Sequence, residues 1–411
     1  MHRPTLSPGT AAVALLAACA AGSLRAQSPP PSPSARGPVS TATATAPADV
    51  GRPATRDARA GTAVYVGDEM LRDYKPEPTL VAKRTRVDRP KFPVVDVHCH
   101  WSMAEDPRRL LAAMDDLGVR RAVNLSGGNG PDLDRMLDRC RAADADRLLV
   151  FCNLDFGRID DPAFGTAAAA ELERAERRGA AGLKVFKSLG LTVKDKAGTV
   201  VAVDDPRLDP VWAACGRLKL PVLIHSGDPL AFFQPVDAKN ERWTQLKRHP
   251  DWSFHGPGFP TYEQVMAQHN RVVRRHPDTV FVSAHLANGG EDLARLSAWL
   301  DEHPNLYVDL SGRVAELGRQ PYAARRFLVR YQDRVLFGTD RYPGRPDQPR
   351  NRIYYRFLET DDEYFDYHDH PFPPEGDWKI YGVFLPDEVL RKVYHANADR
   401  ALAGLVPAGQ R

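Results

Sequence analysis

The sequence predicts an α/β fold, a (β/α)8 TIM barrel, and three observations carry that expectation. From residue 93 onward, short apolar runs alternate with longer amphipathic stretches. The runs number eight, which is the count that closes such a barrel. No glycine-rich phosphate loop follows the first run, which weakens the rival, a doubly wound open sheet.

In chain order the runs are "PVVDVH" (93–98), "RAVNLS" (121–126), "RLLVFCNL" (147–154), "AGLKVF" (181–186), "PVLIHS" (221–226), "VFVSAHL" (280–286), "LYVDLS" (306–311) and "RVLFGTD" (334–340). Each is short and apolar, several are rich in valine, and they read as strands buried on both faces of a parallel sheet. Between them lie "DPRRLLAAMDDLG", "PDLDRMLDRCRAA", "DPRLDPVWAACGRL" and "EDLARLSAWLDEH". These have helical spacing, and several open on the Asp or Pro that favour helix starts. No internal repeat of fixed period is visible.

The chain before residue 93 has a different character. Residues 1–27 carry an arginine near the start, a short apolar core and small residues before a polar break, the pattern of a secretory signal peptide. Two readings stay open: cleavage after Ala26, or lipidation at Cys19 within "LAAC", which resembles the bacterial lipoprotein box. Either implies export, to the periplasm or as a secreted protein, with membrane attachment only if Cys19 is lipidated. Residues 28–61 are Pro, Ser, Ala, Thr and Arg with almost no aromatic or branched aliphatic side chains, and read as a disordered linker. Residues 62–92 form an N-terminal lead-in, and 93–405 the barrel.

Lysine plus arginine (56) nearly balances aspartate plus glutamate (53), so a net charge of +3 leaves no footprint for nucleic acid. No apolar stretch is long enough to span a membrane. The expected partner is a small-molecule substrate, and a homodimer is left open. The cysteines outside the signal, Cys99, Cys140, Cys152 and Cys215, lack paired spacing and read as core residues, with Cys99 facing away from the histidines that flank it.

The strand ends hold the chemistry. The first ends in His98 and His100, the fifth in His225, the sixth in His285 and the eighth in Asp340. In a barrel these ends share one face, where such enzymes place their active sites. Singly each has a plain structural reading: a hydrogen-bonded histidine, or an aspartate capping a turn. Together, three or four imidazoles and a carboxylate suit a divalent metal, zinc first and manganese second.

The motifs "DVHCH", "PVLIHSGDP", "FVSAHLANGG" and "RVLFGTDRYP", with the closing "LPDEVLRKVYHANADRAL" and its Asn397-Ala398 pair, resemble those of the amidohydrolase superfamily over about 93 to 405. They are most similar to its amidohydrolase-related branch, which includes aminocarboxymuconate-semialdehyde decarboxylase, resorcylate decarboxylases and dicarboxylate lactonases. The resemblance implies a barrel of the metal-dependent hydrolase type, with His98, His100, His225 and Asp340 as metal ligands. It implies that Asp340 also moves a proton, and that His285 is a catalytic acid/base or oxyanion-stabilising group. The reaction it implies is attack of metal-activated water on a small amide, lactone or ester. The alternative is non-oxidative decarboxylation of a small aromatic carboxylic acid; a non-enzymatic binding protein on a decayed barrel is disfavoured by the full ligand set.

Lys184, in "GLKVFKSLGL", resembles the lysine that bridges two metals as a carbamate in hydantoinase-like members. One ion is favoured over two. With two, Lys184 would bridge and His225 and His285 would hold the second; otherwise Lys184 is a barrel-floor lysine. Arg313 and Lys187 are substrate-binding candidates, Arg313 placed to grip a carboxylate or to form an outer salt bridge. The segment 227–260, with eight aromatic or imidazole rings, reads as a binding loop or as a mini-core that packs it onto the barrel. A second His-x-His, His368 and His370, reads as surface loop or lid.

Overall fold

Each of the eight runs overlaps a strand in the computed structural model of the chain, which describes residues 70, 73–74, 76–341, 350–368 and 374–402. The expected signal peptide and linker, part of the lead-in, His370 and the last residues of the barrel segment lie outside the described residues. Contacts divide the chain into two units, Met1–Glu77 and Pro78–Arg411. In the first, the N–H groups of Asp73 and Tyr74 donate to the carbonyl of Met70. The barrel lies in the second.

The strands are β1 (Val94–Cys99), β2 (Val119–Asn124), β3 (Leu148–Val150, resuming at Cys152–Asn153), β4 (Leu183–Val185), β5 (Val222–Ile224), β6 (Phe281–Ser283), β7 (Leu306–Asp309) and β8 (Val335–Leu336). Neighbours in sequence pair in parallel throughout. The ring closes between β8 and β1. Val97 N–H donates to Phe337 at 3.0 Å, Asp340 N–H to His98 at 2.7 Å and His100 N–H to Arg341 at 3.2 Å, and a parallel bridge joins Cys99 to Arg341.

Alternation along the strands sorts side chains into two cores. Val222 and Ile224 face the helices, while Leu223 faces the barrel axis with Val95, Val123, Val282 and Leu336. β1 breaks the alternation. Asp96 pairs with Ala122 but Cys99 with Asn124, three steps against two, which is a β-bulge. Val97 keeps the parity of Val95 and joins the inner core, whereas Cys99, past the bulge, falls to the outer one, turned away from the histidines as expected. Gly338 on the adjacent segment leaves room for His98; a Cβ there would lie 2.9 Å from that of His98.

The helices start and stop on local signals. The helix Pro107–Leu117 begins behind Asp106, whose carboxylate accepts from Arg108 N–H, and ends at Gly118 with φ 68°. The helix Tyr262–Arg275 opens on a capping box between Thr261 and Gln264. The final segment contains a π-turn at Lys392–Ala396, and the Val393 carbonyl accepts from Phe337 N–H at 3.0 Å. Asn397 Nδ2 donates at 2.7 Å to the carbonyls of Gln332 and Val335, while Ala398, Ala401 and Leu402 pack on the inner core. In the lead-in, Thr85 bonds through N–H and hydroxyl to Asp362 at 2.6 and 2.7 Å.

Candidate metal centre

β1 delivers His98 and His100 to one point at the C-terminal mouth of the barrel, and the residue after Thr339 completes it. His98 Nε2 lies 3.4 Å and His100 Nε2 3.2 Å from Asp340 Oδ1. Atoms sharing one ion at bonds of about 2.0–2.2 Å sit that far from each other. The other ring nitrogens are committed elsewhere. His98 Nδ1 donates to Asp309 Oδ2 at 2.8 Å, and His100 Nδ1 lies 2.8 Å from Ser126 Oγ. This leaves both Nε2 atoms facing the gathering point, the arrangement that outer carboxylates and hydroxyls impose on metal-binding imidazoles.

His285 stands beside them, its ring centroid 4.9 Å from that of His98. Its Nδ1 is 2.8 Å from the Ser311 carbonyl oxygen, which can only accept, so Nδ1 carries the proton and Nε2 is bare. Burial, with the charges of His225 and Arg313, holds the ring neutral, its pKa well below the usual value. His285 begins four successive left-handed residues, with φ 57° at His285, 55° at Leu286, 51° at Ala287 and 49° at Asn288. Each such non-glycine residue costs roughly 1–2 kcal/mol, a cost met only where surrounding contacts impose the conformation.

His225 is set apart. Among the described residues the metal-ligating groups that converge are His98, His100 and Asp340, and His98, His285 and Asp309; His225 belongs to neither. Its buried Nε2 makes no hydrogen bond, although Asp228 Oδ1 lies 3.4 Å away, and its ring packs edge-on against His285 at 4.4 Å. Of the four ligands expected, the structure thus gathers three and leaves the fourth at their edge with an unused nitrogen.

Lys184 points inward from β4, 1% exposed, and its Nζ has no hydrogen-bond partner. Burial lowers its pKa to about 8, against the pull of Asp309 and Asp340. Desolvation also works against the Asp340 carboxylate. Its hydrogen bond to His100 and the charges of His98 and His285 outweigh that and hold it well below the usual range. The donor set fits a divalent cation: two imidazole Nε2 atoms, an ionised carboxylate, and a third imidazole with an orphaned nitrogen beside them.

A pocket of about 390 Å3 opens over this point, lined by His225, His285, Asp340, Lys187, Asp228 and Arg313 among others. Lys187 Nζ donates to Asp228 Oδ2 at 2.6 Å. The segment 227–260 divides its rings between packing and the pocket wall. Phe233 packs against Phe254 and Tyr262 as a mini-core, while Phe232, His249 and Trp252 line the pocket. Arg313 is anchored within the protein. It lines the pocket but does not present a free fork, since Nε donates to the His285 carbonyl at 3.2 Å, Nη1 to Gly312 at 2.8 Å and Nη2 to Asn288 Oδ1 at 2.5 Å.

Sequence reasoning missed Asp309, the residue on which the centre leans most. Fully buried, it accepts from His98 Nδ1 and from the N–H groups of His285 and Ser311, both at 3.0 Å. The signal was its parity with the inward-facing Tyr307 on β7. Asp96, also buried, ties β1 to the Asp340 segment by accepting from Thr339 Oγ1 at 2.6 Å and N–H at 3.1 Å. Arg242 was missed too; it is buried between Glu316 and Glu375, joining the segments after β5, β7 and β8.

The sequence profile of the amidohydrolase family matches residues 89–403. No curated protein matches the chain. Among solved structures, an uncharacterised TIM-barrel protein from Bordetella bronchiseptica is similar at 17% identity and TM-score 0.47, covering 76% of this chain and 99% of its own. A dihydroxybenzoic acid decarboxylase from a Polaromonas species, with bound manganese and an inhibitor, aligns at 15% identity and TM-score 0.48, over 76% and 97%. A 4-oxalomesaconate hydratase from Rhodopseudomonas palustris aligns at 13% and 0.48, over 76% and 96%.

Proposed function

The chain belongs to the amidohydrolase family of enzymes, and from that premise we propose that it is a metal-dependent hydrolase of small amides, lactones or esters. One divalent cation, zinc by preference, would be held by His98, His100 and Asp340, with the orphaned Nε2 of His225 as the further ligand. The observation that carries this reading is the meeting of two Nε2 atoms and one carboxylate oxygen, with the Nδ1 atoms of both rings tied to outer partners. When bound, the cation supplies Lewis acidity, polarising a carbonyl and acidifying water in the pocket.

The protein's own groups then divide the proton work. His285 enters neutral with Nε2 bare, so it takes a proton before it can give one. That favours a base over the oxyanion donor for which a protonated Nε2 would be needed. His285 then gives the proton it took from water to the leaving group, and Asp340, ionised at the pocket wall, accepts the remaining hydroxyl proton as the bond to the leaving group breaks. The outer N–H groups of Arg313, and Lys187 on its Asp228 partner, orient the substrate from the side. A single ion leaves Lys184 as an unmodified amine on the barrel floor.

A second reading, loss of CO2 from a small aromatic carboxylic acid, uses the same ligands. In its favour, Lys187, Arg242 and Arg313 line the pocket together with Phe232 and Trp252, which suits an anionic ring. Zinc- and manganese-loaded protein assayed against N-acyl amines, lactones, esters and aromatic acids separates the two by product. Hydrolysis that disappears in Asp340→Asn supports the first reading. CO2 release without hydrolysis replaces it with the second, and wild-type rates in Asp340→Asn defeat both.

A further inference from the structure

The left-handed turn that presents His285 is gripped by two side chains, Arg313 and Asn288, which also bond to Gly312 and Ser226 at the barrel mouth. Arg313, 7% exposed, follows β7 and reaches back across the barrel mouth. Its Nε donates to the carbonyl of the first residue of the turn, His285, and its Nη2 to the side chain of the last, Asn288. One planar guanidinium thus spans the turn end to end, fixing its length.

Asn288, 1% exposed, completes the grip. While Oδ1 accepts from Arg313, Nδ2 donates to the Ser226 carbonyl at 2.9 Å, tying the turn to the residue after His225. The Asn288 carbonyl accepts from Tyr262 Oη at 2.8 Å, which in turn accepts from Arg295 Nη2 at 3.2 Å. Within the turn, Asn288 N–H donates to the His285 carbonyl at 2.9 Å, and that oxygen also receives Arg313 Nε. None of the four left-handed positions is glycine, so local preference opposes the turn and these contacts supply what holds it.

We propose that Arg313 and Asn288 are positioning residues that lock His285 in the tautomer with Nδ1 protonated and Nε2 bare toward the pocket. The inference rests on the proposed role of His285 as proton acceptor. The lock works through distance. With the turn pinned, the ring sits where Nδ1 meets the Ser311 carbonyl; with either pin removed, the four residues relax from the left-handed region and the ring leaves that carbonyl. Arg313 thereby acts on the reaction through His285, whether or not its outer edge also touches substrate.

The test is the ring-nitrogen NMR spectrum of the zinc-loaded, 15N-histidine-labelled protein, with the His285 signals assigned through His285→Gln. Wild type shows one tautomer with Nδ1 protonated. Arg313→Ala and Asn288→Gly show averaged nitrogen shifts at His285, with His98 and His100 signals and bound zinc unchanged. Asn288→Asp, which keeps the acceptor for Arg313, retains the single tautomer. A merely strained backbone would give the opposite order, since glycine is at ease at φ 49°. An unchanged His285 pattern in Asn288→Gly overturns the proposal, and that variant decides the matter if Arg313→Ala fails to fold. Hydrolysis falling about 100-fold at unchanged KM in Asn288→Gly is the kinetic counterpart. Full hydrolytic activity in His285→Gln defeats the role given to His285 while leaving the tautomer result to judge the lock.

Discussion

Replacing Lys184 by methionine removes a buried amine that bonds to nothing, and the metal-free protein gains stability near neutral pH. The structure sets the size of the effect. Burial lowers the lysine pKa from 10.5 to about 8, and that difference is worth about 3 kcal/mol at pH 7, an upper value before relaxation. The sign follows from proton counting. Between pH 8 and 10.5 the unfolded chain binds this proton and the folded chain does not, so wild-type stability rises with pH across that window. Below it both states are protonated and the full penalty applies. Methionine, of similar length and without charge, carries no such penalty. Urea unfolding of metal-stripped wild type and Lys184→Met at pH 7 and at pH 10 gives the comparison. The variant is the more stable at pH 7, and its advantage shrinks as pH rises. A variant less stable at both values, or an advantage independent of pH, refutes the reasoning. It would mean that Lys184 has a partner that fixes its charge.

Three further outcomes follow from the same contacts. Asp309→Asn weakens the hold on His98 Nδ1, so cation affinity measured by competition with a chelating dye falls about 10- to 100-fold with the fold intact. Gly338→Ala forces a Cβ to 2.9 Å from that of His98; circular dichroism stays native while the same titration shows weaker binding. Arg242→Met leaves the fully buried Glu316 carboxylate with the longer Arg313 Nη1 contact at 3.9 Å and costs about 3 kcal/mol in urea unfolding, whereas Arg242→Met paired with Glu316→Gln recovers part of the loss.

The barrel was legible because strands buried on both faces must be continuous apolar runs, and eight of them alternate with capped helices. The polar residue closing a run could be read as a site residue because alternation along a strand is local. What lay out of reach depends on neighbours. The bulge in β1 exists because β2 sets a different register past Asp96, and no pattern within "VVDVHCH" encodes that. Asp309 looked like an ordinary strand-end aspartate; its importance comes from His98 and His285, 211 and 24 residues away in sequence. The turn from His285 to Asn288 contains no glycine, so the usual marker of left-handed backbone was missing. Arg313 stands at the mouth, and a lone arginine in sequence does not reveal that its donors are committed to a backbone turn.

Counting the bound ions tests the central claim most directly. Elemental analysis of the purified protein, dialysed against trace-metal-free buffer, is expected to give about one equivalent of a divalent ion per chain. His98→Ala and His100→Ala are expected to bring it near zero, with His285→Gln unchanged. Stoichiometric metal persisting in both alanine variants, or none in a folded wild type offered zinc and manganese, contradicts the account.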